Sequence, residues 1–120
     1  MRRTGPTNIV LRKIIRELRV YANRYKAPIW DAVADYLMRS SRKRVVVNLS
    51  KISRYARDGD VIVVPGKVLG GGDLKKKVVI AAFSFSKTAL EKIRISGSRP
   101  MTIKDLLREN PEGRGVRIFA

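Results

Sequence analysis

Leu11, Ile14, Ile15, Leu18, Ala22 and Tyr25 recur three and four residues apart, the spacing that gathers side chains on one face of a helix. A helix capped by Thr7 or Asn8 and ending at about residues 22–25 follows. At about 100° per residue, Arg12, Lys13, Arg16, Arg19 and Arg24 fall on its other face. Pro28 opens a second helix, because a first-turn proline gives up an N–H that has no helical partner. Its apolar stripe is Trp30, Val33, Ala34 and Leu37. Asp31 and Asp35 stand near its start, where the helix dipole favours anions, and Asp35 is four residues from Arg39. A lone Trp in such a stripe reads as core rather than as a base-stacking residue.

Beyond Leu37 the apolar runs shorten and the helical period breaks up. Val45, Val46 and Val47 read as a short strand. Asn48 can cap a short helix with Leu49, Ile52 and Tyr55 inward and Lys51, Arg54 and Arg57 outward. Asp58-Gly59 is a turn. Val61, Ile62, Val63 and Val64 form a buried strand that Pro65-Gly66 ends, and residues 78–83 form another. Ser86 or Thr88 starts a helix that runs to about Ile95 and stops near Gly97. Thr102 and Asp105 have capping-box spacing ahead of Leu106 and Leu107. Asn110-Pro111-Glu112-Gly113 is a turn before a last short strand over residues 116–119. The expected fold is one small mixed α/β domain: N-terminal helices, then short strands alternating with short helices.

Charge changes the picture of those outward faces. The chain holds 27 Lys and Arg against 10 Asp and Glu, a net charge of +17, yet 44% of its 120 residues are hydrophobic. A chain with that much apolar material folds, and a fold with that excess charge seeks a polyanion. The excess is spread out: residues 1–44 carry 12 basic and 3 acidic side chains, and residues 45–120 carry 15 and 7. Nucleic acid on several sides suits this distribution. Ordinary surfaces mix the two signs, but the five bases of the first helix face a single acid, Glu17. Arg39, Arg42, Lys43 and Arg44 add a basic loop between structured elements.

Several chemistries are excluded. With no Cys and no His, the chain has no disulfide, thiol nucleophile, zinc finger or imidazole acid–base pair. No apolar run reaches the ~18–20 residues of a membrane span, and no signal-peptide core follows Met1, so a cytoplasmic location is expected. Gly66-Lys67 is followed by Val68 rather than Ser or Thr, which breaks the phosphate-loop pattern. Gly70-Gly71-Gly72 lacks the spaced third glycine of a dinucleotide site. Two readings of these glycines stay open. They form a flexible turn between strands, or a bare backbone that lies against RNA beside Lys67 and Lys75, Lys76 and Lys77.

A specific order of short segments then becomes legible. Ala27-Pro28-Ile29-Trp30, Val47-Asn48-Leu49-Ser50-Lys51-Ile52, Val64-Pro65-Gly66-Lys67-Val68-Leu69-Gly70, Ala81-Ala82-Phe83-Ser84-Phe85-Ser86 and Glu109-Asn110-Pro111-Glu112-Gly113-Arg114-Gly115-Val116 follow one another over nearly the whole chain. Together they resemble the archaeal and eukaryotic "L eighteen e" family of large-subunit ribosomal proteins, related in fold to the bacterial "L fifteen" proteins. The length matches the archaeal branch. One departure is Ser98 after Gly97, where the resemblance leads to a second glycine.

The resemblance implies a ribosomal scaffold with large-subunit rRNA and neighbouring ribosomal proteins as partners. It implies no catalysis, cofactor, metal, membrane or small-molecule substrate. Composition alone also allows a DNA-coating chromatin protein. The whole of 1–120 is expected to be one rRNA-binding domain with a basic extension over about residues 1–7. From charge and loop placement, the expected RNA contacts are Arg2, Arg3, Arg12, Lys13, Arg16, Arg19, Arg39, Arg42, Lys43, Arg44, Lys51, Arg54, Lys67, Gly70, Gly71, Gly72, Lys75, Lys76, Lys77 and Arg114.

Overall fold

Two helices lead the chain, α1 (Ile9–Arg24) and α2 (Pro28–Leu37), in a computed structural model that describes residues 9–120. The proposed caps Thr7 and Asn8 lie outside the described residues. Leu11, Ile15, Leu18 and Ala22 are buried as the spacing requires, and so are Trp30, Val33, Ala34 and Leu37. Tyr25 stays on the surface. Between the helices, Lys26 takes the left-handed conformation, φ 52°. The Ala27 N–H then reaches back to the Ala22 carbonyl oxygen at 3.0 Å. A left-handed residue with this 6→1 bond is a Schellman closure, here without the usual glycine. Pro28 at the next helix start keeps the joint short.

After a single 3-10 turn (Ser41–Lys43) come β1 (Val45–Asn48), α3 (Leu49–Tyr55), β2 (Val61–Leu69), β3 (Val79–Phe85), α4 (Lys87–Ile95), β4 (Arg99–Thr102), α5 (Ile103–Glu109) and β5 (Val116–Ile118). The mixed α/β expectation holds, and every pairing in the five-stranded sheet is parallel. β3 lines one edge of β2, with β4 beyond it. The other edge is shared: β5 pairs with Val61, Ile62 and Val63, and β1 pairs from Gly66 onward.

That sharing explains why Pro65-Gly66 does not end β2, contrary to the sequence reading. Proline has no N–H for a ladder, but Pro65 falls where β5 has stopped and β1 has not begun. On the β3 side the register shifts between Val64 and Lys67, a bulge that absorbs one extra residue. Gly66 is required by proximity, since a Cβ there would stand 2.0 Å from the Val45 carbonyl oxygen. Strand β4 was not foreseen, because its Arg-Pro-Met-Thr lacks a strand-like run.

Alternation along the strands sends side chains to two cores. Val63, Ala81 and Met101 pack with α1, α2 and α5. Ile62, Val64, Ile80 and Ala82 pack with α3 and α4. The sheet is therefore covered on both faces, as parallel sheets require. Trp30 is fully buried, and its indole N–H donates to the Pro111 carbonyl oxygen at 2.8 Å. The core reading of Trp30 is correct.

The link from β2 to β3 is unusual for parallel strands, which normally need a crossover of about a dozen residues or more, often a helix. Here residues 70–78 suffice. They must return the length of a nine-residue strand, about 26 Å at ~3.3 Å per residue, so they run nearly extended. Side chains and backbone of the α3 region hold them along the way. Ser50 N–H donates to Gly71 O at 2.9 Å, Lys75 N–H to Ser53 Oγ at 3.0 Å, and Lys77 N–H to Asp58 Oδ1 at 2.9 Å.

Candidate nucleic-acid interface

Ion pairs divide the exposed cations into those with a carboxylate partner and those without. Arg19 is taken by its own fold: its guanidinium meets Asp31 Oδ1 at 3.2 Å and Asp35 Oδ1 at 2.9 Å. Its hydrogen bonds to Asp35 first and Asp31 second hold it above its ordinary pKa. Arg19 thus staples α1 to α2 instead of joining the outer face, and Asp35 does not pair with Arg39. The Arg39 guanidinium lies 4.5 Å from the Tyr36 ring centroid instead. Arg99 pairs with Glu109, Arg114 with Glu112, and Arg117 with Asp60, each at 2.8 Å; Lys104 lies 3.9 Å from Glu17. Asp60 also accepts the Arg57 backbone N–H at 2.9 Å. That bond, ahead of the Arg117 guanidinium, holds the Asp60 carboxyl below its ordinary value.

Three lysines donate to backbone oxygens. Lys51 Nζ donates to Ala120 O, Lys76 Nζ to Ala56 O at 2.6 Å, and Lys92 Nζ to Gly70 O and Gly72 O at 2.9 and 2.8 Å. Lys76 is half-buried, whereas Lys75 and Lys77 are exposed. The lysine triplet therefore splits. Lys75 stands beside Ser53 of α3, while Lys77 runs along Gly97 near the start of β3. Lys67 is exposed on β2, toward the opposite end of the sheet.

The glycine segment is held by the fold, with Gly71 and Gly72 exposed. The Gly71 N–H donates to Asn48 Oδ1 at 2.9 Å, so Asn48 holds this loop and makes no side-chain cap on α3. A Cβ on Gly70 would stand 2.7 Å from Thr88 Cγ2, and one on Gly71 would stand 2.4 Å from Asn48 Oδ1. Gly72 has φ +80°, and its Cβ would meet Ser50 Cβ at 2.6 Å. These glycines let the loop wedge between the starts of α3 and α4. Ser98 likewise has an internal task. Its Oγ donates to Lys76 O at 2.8 Å and accepts the Val78 N–H at 3.0 Å. Among the described residues, Lys26 alone of the non-glycines has positive φ, so Ser98 needs no left-handed backbone.

The remaining expected contacts lie in three places. Arg12, Lys13 and Arg16 are exposed on α1. Arg42 and Lys43 are exposed on the 3-10 turn, and Arg44 is half-buried with Nη2 on Arg39 O at 3.2 Å. Arg54 is exposed on α3. Arg2 and Arg3 lie outside the described residues. Beyond the expected set, Arg24, Arg57, Lys87 and Arg94 are exposed, and among the described residues no carboxylate pairs with them. Outward helical spacing had already marked Arg24 and Arg57.

The cations lie on both sides of the sheet. The α1 helix covers one face, and α3 and α4 cover the other, so their outward bases point in opposite directions. The molecule is a slab of 39 × 36 × 19 Å. Among the described residues, no helix is long and apolar enough to cross a membrane.

The family model described as ribosomal protein 60S L18 and 50S L18e matches residues 1–120. A large ribosomal subunit protein eL18 of Methanococcus maripaludis is 48% identical over 120 residues, covering 100% of both chains. The protein of the same name from Pyrobaculum aerophilum is 47% identical over 115 residues, 96% of this chain and 94% of that one. The Archaeoglobus fulgidus relative is 44% identical over 119 residues, 99% of each.

Proposed function

Because this chain belongs to the family of ribosomal proteins 60S L18 and 50S L18e, we propose that it is a structural constituent of the large ribosomal subunit that binds and neutralises rRNA. The observation that carries the reading is the set of unpaired cations on opposite faces of one thin slab. Lys13, Arg16 and Arg24 serve one face, and Arg54, Arg57, Lys87 and Arg94 the other. A two-faced cationic slab holds two RNA segments together by neutralising phosphates on each. The backbone and the shape of RNA are its targets, because phosphate contacts position a protein without reading sequence.

The whole of 1–120 acts as one rRNA-binding unit, with Arg2 and Arg3 extending the cationic surface. Large-subunit rRNA and adjacent ribosomal proteins are the partners, in cytoplasmic ribosomes, and the role is that of a scaffold without catalysis. The test is a salt titration of binding to large-subunit rRNA fragments. With roughly 6–10 phosphates engaged, affinity should fall on the order of 10³–10⁵-fold from 50 to 200 mM salt. Binding that ignores salt, or that prefers duplex DNA over rRNA at every salt concentration, would refute the reading.

A further inference from the structure

On helical spacing, Tyr55 belongs to the inner stripe of α3 with Leu49 and Ile52. The structure turns it out: Tyr55 is 57% exposed, while Leu49 and Ile52 are fully buried. Geometry gives the reason. At ~100° per residue, position 56 lies about 20° from Leu49 around the axis, and position 55 about 120° away. Ala56 takes the inner place and is 2% exposed. The Tyr55 ring is left on an outward arc with Lys51 and Arg54, and the exposed Arg57 follows within two residues. The α3 sequence, Leu-Ser-Lys-Ile-Ser-Arg-Tyr, contains no carboxylate.

Arg117 lies beside the backbone under that ring. Arg117 Nη1 donates to the Tyr55 carbonyl oxygen at 3.5 Å and to Asp60 Oδ2 at 2.8 Å, while its guanidinium sits 5.3 Å from the Phe119 ring centroid. Among the described residues, neither another ring nor a cation stacks on Tyr55. An exposed aromatic face beside cations suits a flat ring attached to an anionic backbone. We propose that Tyr55 is a stacking platform for an unpaired nucleotide of the bound RNA, with Arg54 and Arg57 receiving the flanking phosphates. The proposal rests on the rRNA-binding reading and adds a single-stranded element to it. Every base has a π-face, so the platform recognises the unpaired state rather than a sequence.

The experiment compares the full chain with Tyr55→Ala, Tyr55→Leu and Tyr55→Phe on two RNAs: an rRNA fragment with unpaired nucleotides and a perfect duplex of equal length. Base stacking of ~1–3 kcal/mol corresponds to about 5- to 150-fold in affinity. Ala and Leu should weaken binding to the first RNA roughly tenfold or more, with an unchanged salt slope, and Phe should retain it. Binding to the duplex should be unaffected. Melting temperatures of all three variants should match wild type, because the ring is on the surface; if Ala melts early, the Leu and Phe pair still separates stacking from bulk. Two results would overturn the proposal: Tyr55→Leu within twofold of Phe on the first RNA, or equal losses on both RNAs. A variant that binds RNA normally but fails to hold a neighbouring ribosomal protein would also overturn it and assign the ring to a protein contact. If wild type itself binds neither RNA, the failure belongs to the rRNA reading, which the salt titration detects separately.

Discussion

The Gly71 N–H donates to Asn48 Oδ1 at 2.9 Å, and the Ser50 N–H donates back to Gly71 O at the same distance. This two-way clasp fixes the glycine segment to the start of α3, and Lys92 closes the other side through Gly70 O and Gly72 O. The segment is part of the scaffold.

Gly72→Ala should therefore destabilise the protein by about 1–3 kcal/mol, because a side chain at φ +80° is strained and its Cβ would press on Ser50. Urea denaturation measures the effect. An unchanged midpoint would mean that the segment is a slack connector after all.

Paired and unpaired cations should behave differently toward RNA. Lys13→Gln with Arg16→Gln should lower the salt slope by about 0.7–0.9 per lost phosphate contact. Arg19→Gln should leave affinity and slope unchanged, because Asp31 and Asp35 already hold Arg19. The same contrast applies to Lys77→Gln against Lys76→Gln, since Lys76 Nζ is committed to Ala56 O. Equal slope losses for Arg19 and Arg16 would contradict the assignment.

Trp30→Ala should cost about 3–5 kcal/mol, as for other buried large side chains. Trp30→Phe should cost less but still register, because the Pro111 carbonyl loses its donor at 2.8 Å. Trp30 is the sole tryptophan, so its emission reports the core directly. It should be blue-shifted when folded and move red on unfolding.

Lys26→Gly should raise stability by several tenths to about 1 kcal/mol, since glycine takes φ 52° without the Cβ clash and gives part of the gain back as chain entropy. Thermal melts of the two proteins decide it. A lower melting temperature would show that the lysine side chain holds the joint.

Asp60 sets an acid dependence. Its folded carboxyl lies below the ordinary value of 3.8, so the unfolded chain takes up that proton more readily. The stability it contributes is present above 3.8 and is lost as pH falls through the folded value. At neutral pH, Asp60→Asn should be less stable than wild type, and the gap should narrow below pH 3.8. Urea midpoints across that range test it. A gap that stays constant into acid would remove Asp60 from the account.

The sequence by itself determined the helices, most strands and the cationic character. Those properties depend on local period and composition: Leu11, Ile15, Leu18 and Ala22 repeat at helical spacing, and no arrangement of the chain hides +17. Trp30 was legible as core for the same reason. Only the tertiary structure decided which cations have a partner within the chain, because an ion pair can join residues far apart in sequence. Arg16 and Arg19 look alike along α1, yet Asp31 and Asp35 sit within reach of Arg19 only after α2 folds back. The lysines at 75, 76 and 77 were likewise alike until α3 placed the Ala56 carbonyl beside the middle one. Tyr55 turned outward because Ala56 took its place, a competition between adjacent positions that packing of the α3 end resolved. Pro65 stayed inside a strand because two other strands leave a gap opposite it, and pairing partners 21 and 55 residues away along the chain leave no mark on the local pattern.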